Sequence, residues 1–161
     1  MKSKLLTIAI ASLAVATLAR AAEPVVAASP DAQRAMLASS DPQLAANKKL
    51  VWDMWRTFLQ GGDINSADKY LAPEYHQHNP NADTGLEGVK AYFRAANRQA
   101  TPPKDTIDGL VAITAERDLV TIARVRELKD KDGKTYTTTT FDLFRVANGK
   151  IVEHWDIATK P

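Results

Sequence analysis

Phe141-Asp-Leu-Phe-Arg-Val-Ala-Asn-Gly-Lys-Ile-Val-Glu-His-Trp-Asp156 decides the fold. Two runs rich in β-branched and aromatic residues flank Asn148-Gly149, a dipeptide suited to the two left-handed central positions of a tight hairpin turn. Side chains on a strand alternate faces, so His154 and Asp156 point one way and Glu153 and Trp155 the other, whatever the pairing. The register has two solutions. A two-residue turn pairs Phe141 with Asp156, whereas a three-residue turn with a bulge at Gly149 sets Asp142 opposite His154 and Arg145 opposite Ile151. The bulged solution is preferred. It puts Arg145 and Glu153 diagonally on one face and gathers Asp142, Phe144, Val146, Val152, His154 and Asp156 on the other, and an apolar face broken by a few convergent polar groups is what lines a ligand pocket.

Upstream of this hairpin the chain keeps strand character back to about residue 105, in segments near 105–115, 118–128 and 135–147 with a last strand at 150–158; Glu116-Arg117-Asp118 and Asp130-Lys-Asp-Gly133 divide them. Before that the period is helical. Asp41-Pro42 supplies an N-cap and a first-turn proline, Leu44, Val51, Trp52, Trp55, Phe58 and Leu59 recur at helical spacing, and Gly61-Gly62 stops a helix spanning about 42–60. A short helix is predicted over Ile64–Leu71, ending before Pro73. A third runs from about Leu86 to Arg98, with Leu86, Val89, Tyr92, Phe93 and Ala96 inward, and Thr101-Pro-Pro103 breaks it. The stretch Tyr75-His-Gln-His-Asn-Pro80 between the second and third helices reads as a loop. Helices first and an antiparallel meander afterwards make an α+β fold, with the helices on one face of a curved sheet and a conical cavity between the layers.

At the other end of the chain, Lys2 and Lys4 precede an apolar run from Leu5 to Ala19, and Ala19-Arg20-Ala21 fits small-x-small cleavage. The run is shorter than the roughly 20 apolar residues that span a bilayer. Residues 1–21 are therefore expected to be a signal peptide cleaved near Ala21, 22–40 a flexible lead-in with a possible short helix at Asp31–Leu37, and 41–161 one domain, periplasmic or secreted and not held in a membrane once the leader is gone. Losing Lys2, Lys4 and Arg20 takes 21 basic residues to 18 against 19 acidic ones, so the mature chain is close to neutral. No run of Lys/Arg remains to follow a phosphate backbone, which argues against nucleic acid. With no cysteine there is no disulfide, thiolate nucleophile or lipoprotein acylation site.

All three histidines fall in two short stretches, His76 and His78 in one and His154 in the other. If the 75–80 segment and the last strand border one pocket, these imidazoles meet; equally, His76 or His78 caps a turn or faces solvent. His76, His78, His154 and Asp156 could together offer three nitrogens and one oxygen to a metal, but the spacing matches no compact ligand motif, and no metal is expected. Asp142 and Asp156 are the carboxylates placed toward the apolar interior, where a general base belongs. Glu153 is expected to pair with Arg145 at the surface. The aromatic residues, Trp55 among them, are core first, although some must line any cavity. Gly85-Leu-Glu-Gly88 lacks the lysine and preceding strand of a phosphate loop and reads as a helix start.

The Tyr75–Pro80 motif, Gly85 leading into the third helix, and the Asp142–Asp156 hairpin together resemble the SnoaL-like, polyketide cyclase-like branch of the NTF2-like superfamily, over about residues 42–158. The resemblance implies an NTF2-like, cystatin-like cone, with three N-terminal helices packed on a strongly curved antiparallel sheet and a homodimer formed through that sheet. It also implies ring closure by intramolecular aldol condensation without a cofactor, with an acid/base aspartate in the cavity matched here to Asp156. On this reading the catalytic set is Asp156 as base, His154 orienting it and His78 as a hydrogen-bond donor. His76, Asn79, Tyr75, Asp142, Phe144 and Trp55 would contact a small apolar or carbonyl-containing ligand. The expected function is aldol-type cyclisation or isomerisation of a small carbonyl compound. The alternative is an exported protein that binds a small molecule in the same cavity without chemistry.

Overall fold

The computed structural model describes residues 26–157, and the expected signal peptide lies outside them. Four helices and five strands follow in the order α1 (Pro30–Ala35), α2 (Pro42–Met54), α3 (Ala67–Tyr70), β1 (Leu71–Gln77), α4 (Leu86–Ala95), β2 (Leu110–Glu116), β3 (Leu119–Lys129), β4 (Thr135–Ala147) and β5 (Lys150–Asp156). A π-helical turn, Trp55–Gln60, extends α2, and a 3-10 turn, Ile64–Ser66, leads into α3. The strands form one sheet in the order β1-β5-β4-β3-β2, antiparallel except for β1 alongside β5. The α+β cone predicted from sequence is what the chain forms. No helix among the described residues is long and apolar enough to cross a membrane.

The Asp41 carboxylate starts α2 by accepting from the amides of Gln43 at 2.7 Å and Leu44 at 3.3 Å, with Pro42 in the first turn where its missing N–H costs nothing. The helix then lays Val51, Met54 and Phe58 over Leu110, Val120, Ile122, Phe144 and Ile151 on the concave face of the sheet, all essentially excluded from solvent. This apolar burial is the main stabilising term of the fold. Curvature enters through irregular pairings. Gly109 sits at φ +71° beside a shift in the β2–β3 register, and a Cβ there would lie 2.1 Å from the carbonyl oxygen of Val125. Only glycine fits so close a backbone approach.

Three expectations are corrected. The hairpin turn is the two-residue form, with Asn148 at φ 51° and Gly149 at φ 71°, so Ala147 pairs with Lys150 and Val146 with Ile151. The bulge falls at Val152 in β5, not at Gly149, and beyond it Arg145 faces Glu153, Phe144 faces His154 and Asp142 faces Asp156. Relative to the preferred register, Asp142 has moved from His154 to Asp156, an offset of two residues that leaves Asp142, Phe144, His154 and Asp156 on their expected face. Ile151, fully buried, takes the inward place given to Val152, because the bulge allows Ile151 and His154 to face inward although three apart.

Second, Leu71–Gln77 is a strand and not the end of a helix followed by a loop. Pro73 hides it from a sequence reading, yet at the edge of a sheet proline is tolerated. Third, the segment expected to be a mobile lead-in is docked from Ala28 onward. Ala28 donates to the Leu110 carbonyl at 2.7 Å, the buried Gln33 amide exchanges two hydrogen bonds with the backbone of Ile107 at 3.0 and 3.2 Å, and the Lys48 ammonium holds the carbonyls of Met36 and Ala38.

Candidate functional site

Because Tyr75-His-Gln-His78 continues as a strand, its side chains alternate. Tyr75 and Gln77 point into the cone, with Asn79 following them, while His76 and His78 point out. The His78 amide donates to the His154 carbonyl at 3.0 Å and carries the β1–β5 pairing past the end of the strand. Opposite them β5 presents His154 and Asp156, and β4 presents Asp142 and Phe144. These residues line a cavity of about 130 Å³, closed on the other side by Met54 at the end of α2, by Phe58 and Leu59 of its π-helical extension, and by Val89, Tyr92 and Phe93 of α4. The volume is close to the ~150 Å³ apolar cavity known to take up benzene.

His154 is buried and stacked on Phe144, with ring centroids 4.3 Å apart and planes within 5°. Its Nε2 lies 3.2 Å from Asp142 Oδ1, and its Nδ1 lies 3.0 Å from Gln77 Nε2 and 3.1 Å from the Tyr75 hydroxyl. The amide of Gln77 is fixed, because its Oε1 accepts from the Asn79 backbone N–H at 2.9 Å. That leaves the Gln77 NH₂ facing His154, so Nδ1 accepts and Nε2 carries the proton it donates to Asp142. A neutral imidazole nitrogen has one lone pair, and two donors compete for that of Nδ1. Gln77 cannot turn away; the Tyr75 hydroxyl can. Burial, together with the charges of Asp156 and Asp142, pushes the Tyr75 phenol well above its ordinary value of 10, so it stays a protonated donor across the physiological range.

Asp156 is held separately. Its Oδ2 accepts from Asn79 Nδ2 at 3.1 Å, and its Oδ1 is buried with no hydrogen-bond partner among the described residues. A buried carboxylate oxygen without a partner is costly, and such an atom beside a cavity is poised for a ligand or a proton. His154 therefore orients Asp142 and not Asp156, contrary to expectation; Asn79 fills that role.

His78 and His76 do not reach the cavity. His78 stacks on Trp155 at 4.4 Å and faces Glu153 at 3.1 Å on the convex side, while His76 packs edge-on against it and contacts Thr84 Oγ1 at 3.1 Å. Trp55 is buried but lies outside this cavity, meeting the far edge of Phe144 at 6.2 Å. The expected Arg145–Glu153 ion pair is present at 2.8 Å, and Arg145 also holds Asp118 at 2.7 Å. Gln77 was missed in the sequence, although reading 75–79 as a strand would have found it by alternation alone. The histidine-rich metal set does not assemble. One atom each from Asp142, His154 and Asp156 lies within 4.8 Å of the others, a set of one imidazole and two carboxylates in which both imidazole nitrogens are already engaged in hydrogen bonds.

Helices packed on a curved sheet, with Asp142, His154 and Asp156 beside a small cavity, make an NTF2-like fold. A SnoaL-like domain is matched over residues 52–154, and the chain belongs to that family. Among solved structures it is similar to a candidate polyketide cyclase from Acidithiobacillus ferrooxidans, 21% identical over 74% of this chain and 89% of that one, with a TM-score of 0.54. A candidate SnoaL-like polyketide cyclase from Jannaschia sp. is 14% identical over 74% and 90%, with a TM-score of 0.55. An epoxide hydrolase of M. tuberculosis is 18% identical over 71% and 84%, with a TM-score of 0.52. At these identities the likeness is one of fold. No curated protein matches the chain.

Proposed function

We propose that the protein is a cofactor-independent acid/base enzyme that enolises a small carbonyl compound, leading to isomerisation or aldol-type ring closure. The observation that carries this reading is the free, buried Oδ1 of Asp156 beside the cavity. In the proposed step Asp156 takes a proton from the carbon next to the carbonyl, becoming a carboxylic acid as the C–H electron pair moves into the enolate. The negative charge develops on the carbonyl oxygen. The Tyr75 hydroxyl turns from His154 Nδ1 to that oxygen, while Gln77 keeps Nδ1 satisfied and also donates to the Tyr75 oxygen at 3.1 Å. A donor aimed at charge that appears only in the transition state contributes on the order of 3 kcal/mol. Asp156 then returns the proton to a different carbon (isomerisation), or the enolate carbon attacks a second carbonyl of the same molecule and the proton goes to the new alkoxide (ring closure).

The cavity suits a ligand on the order of six to eight non-hydrogen atoms within its enclosed part. The test is α-proton exchange: small ketones incubated in D₂O with the protein, followed by NMR, should lose their α-protons faster than in buffer, and Asp156→Asn should abolish this. Exchange that persists in Asp156→Asn defeats the mechanism. Ligand binding that survives that change, with no exchange by either protein, identifies a binding protein instead.

Export and pairing belong to the same proposal. The Lys2/Lys4 leader goes with secretion, and mass spectrometry of the exported protein should find a chain beginning at Ala22. Pairing through the convex face of the sheet is supported by Phe141, 54% exposed, beside Leu143 and Trp155, which face one another across β4 and β5.

A further inference from the structure

On the far side of Trp55 the sheet and the helical layer flank a second, open crevice of about 510 Å³, walled by Arg98 from beyond α4 and by Arg124 and Arg126 of β3. Trp55 and Leu59 supply an apolar wall, and Leu59 is shared with the acid/base cavity. Most polar groups here are already engaged. Arg98 donates to the carbonyls of Leu59 at 2.6 Å and Gln60 at 3.1 Å, the Gln60 side chain is tied to Thr106 O at 3.0 Å and Asp108 N at 2.8 Å, and the one acidic side chain, Asp108, is paired with Lys104 at 2.6 Å.

Arg124 and Arg126 are different. Neither makes an ion pair among the described residues, and they stand two apart on the same face of β3. The Arg124 guanidinium lies over the Trp55 ring, 4.3 Å from its centroid, and its Nε is buried without an acceptor among the described residues. Directly opposite on β4, Thr140 Oγ1 is also buried without a partner. Both arginines and Thr140 also line a small annex of about 70 Å³ that adjoins the crevice at Arg124 and Arg126. Two orphaned polar atoms facing one another across a strand pair, beside guanidinium groups that make no ion pair, call for an acceptor that the described residues do not supply.

We propose that this crevice is a binding site for a monoanionic carboxylate carrying an apolar body, separate from the cavity assigned to the proton transfer, although Leu59 borders both and Asp142 and Asp156 border the cavity and the annex. The planar guanidinium groups match a carboxylate, and Trp55 and Leu59 receive the apolar part. Asp108, Asp142 and Asp156 border the crevice or its annex, and their charges disfavour a dianion such as phosphate. Burial of Arg124, which works against its charged form, is offset when an anion arrives.

Benzoate tests this by titration calorimetry and tryptophan fluorescence on the full chain, with benzamide as the uncharged counterpart and inorganic phosphate as the charge without the ring. Saturable benzoate binding is expected, with benzamide and phosphate each at least about tenfold weaker. Arg126→Gln, at an exposed position that should not disturb folding, is expected to weaken benzoate by about tenfold, and Arg124→Gln by more. Absence of saturation with benzoate, equal binding of benzamide, tighter binding of phosphate, or wild-type affinity in a folded Arg126→Gln overturns the proposal.

Discussion

Asp142 and Asp156 stand directly opposite one another across β4 and β5, both on the concave face, yet they hold different partners: Asp142 accepts a hydrogen bond from His154 Nε2–H, while Asp156 accepts from the Asn79 amide and keeps one oxygen without a partner among the described residues. The two carboxylates should therefore fail differently when changed. Asp156→Asn is expected to fold with an unchanged melting temperature and to lose proton-abstraction activity by roughly 10²–10⁴-fold, the usual range for a removed general base. Asp142→Ala leaves a buried imidazole N–H without an acceptor and should cost about 1–3 kcal/mol in urea denaturation. Equal stability loss in both would mean that Asp156 is a structural group.

The Tyr75 phenol carries a pH signature. Its folded-state value is raised, so the stability it contributes is complete below the ordinary tyrosine value of 10 and is lost as pH climbs beyond it, once the unfolded chain ionises and the folded one does not. In a spectrophotometric alkaline titration Tyr75 should stay un-ionised until the protein unfolds, and Tyr75→Phe should remove that late step. A Tyr75→Phe difference that appears while the protein is still folded would contradict the buried placement.

Gly109 gives a backbone prediction. Gly109→Ala forces a Cβ against the Val125 carbonyl at a φ that L-residues resist, and the Val125 N–H bond to Gly109 O, 2.8 Å, must give way. A loss of about 2 kcal/mol or more is expected as a lower urea midpoint. Gly133→Ala is the control: its φ of +78° is also left-handed, but nothing lies within 4 Å of its Cβ, so the smaller loss there isolates the steric part at Gly109.

If the convex face is the dimer surface, Phe141→Lys should yield a monomer by light scattering without disturbing the cavity, since Phe141 points away from it. A dimer that survives Phe141→Lys moves the interface elsewhere.

The strands from 110 to 156 were legible because β-branched alternation and the Asn-Gly turn are local signals. Which face His154 occupies was legible for the same reason. What failed was non-local. The parallel pairing of β1 with β5 joins residues about eighty apart in the chain, as in His76 with Glu153, and Pro73 masks the strand from within. His76 and His78 drew notice as histidines, yet the pleat sends them outward and brings Tyr75, Gln77 and Asn79 in. The arginine crevice could not be read at all, since Arg98 reaches Arg124 and Arg126 only through the folded helical layer. Nor does any local pattern announce that α2 widens into a π turn at Trp55–Gln60, the segment that puts Phe58 and Leu59 against the cavity.

The extra residue at Val152 has a consequence for how this strand can vary. It acts as a phase shifter: the stretch before it answers to the core through Ile151, the stretch after it answers to the cavity through His154 and Asp156, and the two obey opposite parities. Excising Val152 would remove the bulge and leave the Asn148-Gly149 turn and the other β4–β5 pairs intact: Ile151 and His154 would then stand two apart and both still face inward, with Asp156 beyond them. A residue inserted after Val152, with no second bulge to absorb it, would instead carry His154 and Asp156 to the convex side and leave the cavity an inert floor.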